Sequence, residues 1–176
     1  MKAILGIEID GESIGTELGY EGLESVLYNI PDTEENSAFF AALARHPYSG
    51  IRSNVANKQN LDDETIMLLA DDKDPNVVGQ IVYSDSFRNL ASEELVKKIL
   101  MQENEASRNI ISYAGSFKRV SVEEIEQAIK DADIQNPYIL MAAAQCYEFT
   151  SEFIEGLTQH PDPSVSLAAK DSLKNR

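Results

Sequence analysis

Apolar residues recur along the chain in short helical patterns that are separated by polar turns. After Asp74-Pro75, Asn136-Pro137 and Asp162-Pro163, an aliphatic residue follows two positions beyond the proline and has an apolar partner four residues later. This spacing places the apolar residues along one face of a helix. The Asp or Asn can accept hydrogen bonds from free backbone N–H groups, and proline at the first helical position needs no partner. We therefore predict a short amphipathic helix after each dipeptide.

A second set of helices is predicted between the members of the first. Each begins at Ser or Thr followed by glutamate, as in SEELVKKIL (92–100), SVEEIEQAI (121–129) and TSEFIEGL (150–157). Ser121 and Glu124 have the spacing of a capping box. Helices of about 10 residues are marginal in water when isolated, so neighbouring helices must pack together.

The chain repeats itself. LARHPYSGIRSNVA (43–56) returns as LTQHPDPSVSLAAK (157–170), and IVYSDSFRNLASEEL (81–95) aligns without a gap on ISYAGSFKRVSVEEI (111–125). The aligned residues form two columns, which are Ile51, Val77, Ser107, Ile139 and Val165, and Val55, Ile81, Ile111, Ala143 and Ala169. Successive members are 26, 30, 32 and 26 residues apart. We therefore predict an all-α fold, an α-solenoid of about five helical-hairpin repeats.

The residues LARHPYSGIRSNVANKQNL followed by DDETIMLLADDKDPNVVGQIV resemble the bacterial leucine-rich-repeat-variant and HEAT-like repeats. The resemblance covers about residues 37–176 and implies a superhelical scaffold that holds other macromolecules. The arginine of the family pattern stands at Arg52 and Arg108 but is absent from the other three units, so we do not expect a regular Asp–Arg ladder. The cysteine clusters that hold an iron–sulfur centre in some relatives are absent, so we expect no cofactor.

Residues 1–36 do not follow the repeat, and we assign them to an acidic N-terminal cap and residues 37–176 to the repeat domain. Ile7 and Ile9 flank Glu8 before Asp10-Gly11, which predicts a strand and a tight turn, and so a β-hairpin. EGLESVLYNI (21–30) predicts a helix that ends before Pro31. This cap could cover the end of the first repeat or contact a partner, and the two roles are compatible.

Charge indicates which partners to expect. The chain has 15 basic and 30 acidic residues, a net charge of −15, and residues 1–35 contain nine acids against Lys2 alone. This balance disfavours direct binding to nucleic acid or to an anionic membrane and favours a protein with a basic surface. We find no apolar run near the roughly 20 residues of a membrane span and no signal-peptide pattern. A single cysteine, Cys146, agrees with a reducing compartment, so we expect a cytoplasmic protein.

The residues that could carry chemistry have structural explanations. His46 and His160 occupy the same repeat position before proline, which predicts turn residues. DDKDPN (71–76) lacks the glycine and the distant glutamate of a calcium loop, so we interpret it as a helix cap. Cys146 lies beside MAAAQ (141–145) and is expected to be buried. We find no phosphate loop, nucleophile elbow or metal-ligand motif, and we expect no catalytic residue, no metal and no enzymatic activity.

Two sets of residues are candidates for binding. Amides and tyrosines lie on the side of the second helices opposite the apolar columns, and such residues suit a protein contact. This concave stripe consists of Asn54, Asn57, Gln80, Tyr83, Asn109, Tyr113 and Gln145. The acidic cap set consists of Glu8, Asp10, Glu12, Glu17, Glu21 and Glu24. Tyr83 and Tyr113 could alternatively pack between repeats.

These observations favour a non-enzymatic scaffold that binds another protein through the concave face, the cap or both. The alternative is an acidic inhibitor or immunity-type protein that mimics nucleic acid and blocks a nuclease or defence complex. Binding by such a mimic should weaken steeply with salt. A third hypothesis follows from the resemblance, because some alkylpurine DNA glycosylases have a similar HEAT-like scaffold. The absence of tryptophan and of a basic stripe disfavours it.

Overall fold

Helices make up most of the protein. The computed structural model describes residues 3–176, with the backbone alone at Ala3; Lys2, the single base of the predicted cap, lies outside this range. The protein is 62% helical and, over these residues, forms twelve α-helices and one two-stranded antiparallel hairpin. This confirms the predicted all-α fold with a β-hairpin near the N-terminus.

The elements are short and follow one another closely. The strands of the hairpin are β1 (Ala3–Ile9) and β2 (Glu12–Leu18). The helices are α1 (Tyr20–Asn29), α2 (Ser37–Leu43), α3 (Ser49–Ala56), α4 (Asp63–Ala70), α5 (Pro75–Val82), α6 (Asp85–Leu90), α7 (Glu93–Leu100), α8 (Glu105–Ser112), α9 (Val122–Asp131), α10 (Pro137–Gln145), α11 (Ser151–Leu157) and α12 (Pro163–Lys174).

The chain forms two compact units, Met1–Ser84 and Asp85–Arg176. In the first unit, α1 packs on α3 and α3 packs on α5. In the second unit, α8 packs on α10 and α10 packs on α12. Within each unit, therefore, the second helices of successive helical hairpins stack on one another, and in the first unit α1 of the predicted cap extends the stack. The described part of the predicted cap belongs to the first unit, in which α1 packs directly on α3.

The two aligned columns form the cores of the units. All ten members are buried, with at most 2% of each residue exposed. Ser107 interrupts the first column without leaving an unpaired hydroxyl: its Oγ donates to the carbonyl of Ile99 at 2.8 Å and accepts from the N–H of Asn104 at 3.2 Å. A buried hydroxyl is tolerated when it is hydrogen-bonded. Ser107 thus connects the first turn of α8 to the last turn of α7 by a hydrogen bond.

All six predicted helix caps are present. Asp74, Asn136 and Asp162 accept from the N–H of Asn76, Tyr138 and Ser164 at 3.0, 3.0 and 2.8 Å. Ser92, Ser121 and Thr150 accept from the N–H three residues further on, and Ser121 and Glu124 form the predicted capping box. The assignment of DDKDPN to a helix cap is therefore confirmed at Asp74.

A buried ion pair crosses the first unit. The guanidinium of Arg52 contacts Asp72 through Nε–Oδ2 at 2.5 Å and Nη2–Oδ1 at 2.8 Å, and its Nη1 donates to the carbonyl of His46 at 2.9 Å. Arg108 is instead exposed and lies 3.5 Å from Glu105 on its own helix. The two arginines of the repeat pattern therefore have different environments, in agreement with the expected lack of a regular ladder.

Candidate protein-binding surfaces

The outward sides of α1, α3 and α5 in the first unit carry residues from both predicted sets. On α1, positions 21, 24 and 28 share one side, since residues three, four and seven apart are neighbours on a helix. Asn54 of α3 and Asn57 just after it are also three residues apart, and both are exposed. The same spacing separates Gln80 of α5, which is half-buried, from the exposed Tyr83 just after that helix. We call these residues the tyrosine–amide face, and they are Glu21, Glu24, Tyr28, Asn54, Asn57, Gln80 and Tyr83.

One contact within this face joins the predicted cap to the predicted stripe. The side-chain amide of Asn54 on α3 donates to the Oε1 atom of Glu24 on α1 at 3.4 Å. The absence of a side chain at Gly50 leaves room for Glu24 and Tyr48. A Cβ atom at this position would lie 3.2 Å from the Oε1 atom of Glu24 and 2.6 Å from the Cε1 atom of Tyr48. The structure therefore brings together two residues that the sequence placed in separate sets.

Two tyrosines lie beside this contact. The rings of Tyr20 and Tyr48 pack with their centroids 4.7 Å apart and their planes tilted by 54°. Neighbouring Tyr48 and the carboxylate of Glu21 raise the pKa of Tyr20 above its ordinary value, because a negative environment disfavours the phenolate. The sequence prediction missed this tyrosine pair, because tyrosines 28 residues apart have no shared pattern.

The second unit carries a separate groove between α10 and α12. It has a volume of about 570 Å³ and is lined by Met141 and Gln145 from α10 and by Leu167, Ala168 and Asp171 from α12. Gln145 belongs to the predicted stripe. The α12 residues were missed, although they stand two, three and six positions after Val165, which is the spacing that defines the stripe in the other repeats.

The predicted stripe is wrong at Asn109. Only 4% of this residue is exposed, so it cannot contribute to a surface contact. Asn109, Ile110 and Ile111 are all buried, and three consecutive residues span most of the circumference of a helix. α8 is therefore enclosed on more than one side. Tyr113 is half-buried, and its ring packs against the guanidinium of Arg88, with 4.5 Å between the ring centroid and Cζ.

The remaining cap carboxylates lie on the hairpin and are exposed. Glu8 is on β1, Asp10 is in the turn, and Glu12 and Glu17 are on β2. They are separate from Glu21 and Glu24, which lie on α1. The acidic cap set is therefore divided between the hairpin and the tyrosine–amide face.

The histidines and the cysteine have structural roles. His46 and His160 accept through Nδ1 from the N–H groups of Tyr48 and Asp162 at 3.2 and 3.1 Å, which confirms them as equivalent turn residues. Cys146 is buried, and burial raises the pKa of its thiol to about 11. Across residues 3–176, His, Cys, Asp and Glu side chains form no group of three or more suited to a metal ion. In the same range, every helix is too short or too polar to cross a lipid bilayer.

No protein-family model, curated protein or solved structure matches this chain. Its function therefore has to be argued from its own surfaces.

Proposed function

We propose that this chain is a non-enzymatic scaffold that binds another protein with a basic surface, using the tyrosine–amide face of the first unit. One observation carries the proposal: four tyrosines on or beside this face, which are Tyr20, Tyr28, Tyr48 and Tyr83, are between 45% and 85% exposed. Tyrosine has a large apolar area, a hydroxyl group and few rotatable bonds, so it is enriched at protein interfaces. In the part of the chain that the structure describes, by contrast, every phenylalanine is buried or half-buried.

The charge of the face indicates the chemistry of the partner. Glu21 and Glu24 are its only charged residues, and the remaining five are amides and tyrosines. A lysine or arginine from a partner could pair with these carboxylates and lie over the ring of Tyr28 or Tyr83. Opposite charges also guide the partner to the face and orient it there. The surface therefore suits a basic protein.

The test begins with the immobilised full chain and an extract of the cells that produce it. Captured proteins are identified by mass spectrometry, purified and titrated against the chain by calorimetry. The variant that carries Tyr28→Ser and Tyr83→Ser should bind about tenfold more weakly or worse, because exposed tyrosines at a contact commonly contribute 1 kcal/mol or more each.

The matched control carries Tyr138→Ser and Tyr147→Ser in the second unit, where both tyrosines are at least as exposed as Tyr83. Its affinity should equal that of the parent chain. Capture of no protein would contradict the proposed function. Equal loss of affinity in both variants, or loss in the control alone, would contradict the assignment to the tyrosine–amide face.

The hairpin favours the acidic-inhibitor alternative as a second candidate function. It carries four carboxylates and no basic residue between positions 3 and 18. A surface that imitates nucleic acid binds mainly by charge, so its dissociation constant should rise by several orders of magnitude between about 0.05 and 0.5 M salt. Contacts made by tyrosines and amides should weaken far less over the same range. Titration of the purified partner at both salt concentrations distinguishes the two functions.

A further inference from the structure

The two faces of the hairpin differ in character. β1 and β2 pair in a register that places Leu5 opposite Thr16, Ile7 opposite Ile14 and Ile9 opposite Glu12. Directly opposed residues share one face of an antiparallel pair, and alternate residues of a strand lie on the same face. Leu5, Ile7, Ile9 and Ile14 therefore form one surface, which we call the aliphatic face of the hairpin.

The reverse face is flatter and more polar. Gly6 pairs with Gly15 there, and Glu8 pairs with Ser13. Ile4 also lies on this side, because a Cβ atom built on Gly15 would be 3.0 Å from its Cγ2 atom. The aliphatic residues of the hairpin are therefore concentrated on one side and not distributed evenly.

The aliphatic face is uncovered. Its four residues are between 39% and 66% exposed. The hairpin contacts α1 at the end of β2, where Leu18 is half-buried. A Cβ atom built on Gly22 of α1 would lie 3.3 Å from the Cδ2 atom of Leu18. An isolated two-stranded hairpin is marginal in water, and exposed aliphatic clusters mark sites of interaction. This face would gain stability from a partner that covers it.

We propose that the aliphatic face of the hairpin docks on an aliphatic surface of a partner protein that is bordered by lysine or arginine. This inference rests on the proposed binding function and adds a second contact to it. Every charged residue of positions 3–18 is acidic, and Asp10 and Glu12 lie at the tip beside Ile9. Basic groups around the partner's apolar surface would complement these carboxylates. A second copy of the chain, or an anionic bilayer, would bring like charges together.

The test uses the full chain and three short synthetic peptides as probes. The peptides alternate valine with lysine, threonine with lysine, and valine with glutamate, and fluorescence anisotropy measures their binding. The valine–lysine peptide should bind best. The threonine–lysine peptide lacks the apolar contact and should bind about tenfold more weakly, and the valine–glutamate peptide should not bind measurably.

A matched pair of variants then locates the contact. The variant with Ile7→Thr, Ile9→Thr and Ile14→Thr keeps β-branched residues and charge, but should lose at least about tenfold in affinity for the valine–lysine peptide. Ile4→Thr makes the same exchange on the reverse face, at a residue that is 69% exposed, and should leave the affinity within about twofold. Nuclear Overhauser contacts between Gly6 and Gly15 verify that both variants keep the hairpin.

Three results would overturn the docking proposal. The first is equal affinity of the two variants for the valine–lysine peptide, and the second is equal affinity of the parent chain for the threonine–lysine and valine–lysine peptides. The third is a dimer of the parent chain in sedimentation experiments that is absent from the triple variant. The experiments also separate the docking proposal from the proposed binding function. If the triple variant binds the purified cellular partner with the same affinity as the parent chain, the docking proposal fails while the binding function stands. If the chain captures no cellular protein, the binding function fails whatever the peptides do.

Discussion

At the scale of single residues, the first unit contains a buried ion pair between Arg52 and Asp72. Both side chains are less than one-tenth exposed, and the guanidinium also donates to the backbone carbonyls of His46 and Pro47. Arg52 thereby links the turn before α3 to the turn before α5. A buried charge that loses its partner is strongly destabilising, whereas an exposed ion pair contributes little.

We expect Asp72→Ala to lower the free energy of unfolding by about 3 kcal/mol or more, since it leaves the guanidinium of Arg52 buried without its carboxylate. Asp171→Ala removes an exposed carboxylate that lies 3.1 Å from Lys174 on the same helix, and it should cost less than about 1 kcal/mol. Chemical denaturation followed by circular dichroism measures both values. Equal costs would show that the Arg52–Asp72 pair does not stabilise the unit.

Asp72 also predicts how stability depends on pH. Burial acts to raise the pKa of its carboxyl. Hydrogen bonds from Arg52 and from the backbone N–H of Asp74, together with the charge of Arg52, outweigh burial and hold the pKa below its usual value. The stability that Asp72 contributes is therefore fully present above the unfolded-state pKa of about 4, and is lost as pH falls through the lowered folded-state pKa. Asp32, Asp62 and Asp74 of the same unit also have lowered pKa values.

We therefore expect the free energy of unfolding to fall as pH decreases from about 5 to 2, and to fall less steeply in the Asp72→Asn variant. Denaturation curves recorded at several pH values in this range measure both slopes. A slope unchanged by the substitution would show that Asp72 has similar pKa values in the folded and unfolded chain.

At the scale of elements, the turn of the hairpin depends on Gly11. Asp10 and Gly11 have φ angles of 52° and 84°, in the left-handed region that the tight turn requires. Any other residue at position 11 would be strained by the positive φ angle, even though no atom lies within 4 Å of a Cβ atom built on Gly11. Asp-Gly is one of the residue pairs preferred in such a turn, which explains why the hairpin could be predicted from sequence.

Gly11→Ala should destabilise the hairpin by about 1 kcal/mol, and Gly6→Ala should not, because Gly6 has open space for a Cβ atom and no positive φ. Amide hydrogen exchange at residues 4–17, measured by NMR, reports the change in hairpin stability. Exchange that accelerates equally in both variants would contradict the role of the turn.

Local chemistry explains which elements the sequence could predict. The caps at Asp74, Ser121 and Asp162 depend on residues within three positions, and the helices beyond them follow from apolar spacing. Features that depend on distant residues were not predicted. α6 was missed because its Phe87 packs edge-on against Phe117, thirty residues away and at the equivalent repeat position, with centroids 6.1 Å apart.

The candidate surfaces were only partly predictable for the same reason. Spacing from the apolar columns selected Asn54 and Tyr83, which are exposed, and Gln80, which is half-buried. It cannot reveal when a helix is enclosed on a second side, as at Asn109. The contact between Glu24 and Asn54 joins residues thirty positions apart and required the packing of α1 on α3.

At the scale of the whole molecule, the chain combines a strong net charge with exposed tyrosine and aliphatic side chains. A charge of −15 limits non-specific association with other acidic surfaces, whereas the exposed rings and aliphatic groups supply area for a specific contact. The tyrosine–amide face and the hairpin both belong to Met1–Ser84. We therefore propose that the first unit binds the partner.

Hydrogen–deuterium exchange of the full chain, alone and saturated with its purified cellular partner, tests this assignment most directly. Binding through the hairpin and the tyrosine–amide face should slow exchange in β1, β2, α1, α3 and α5 and leave α10 and α12 unchanged. Protection confined to α10 and α12, or to no part of Met1–Ser84, would contradict it.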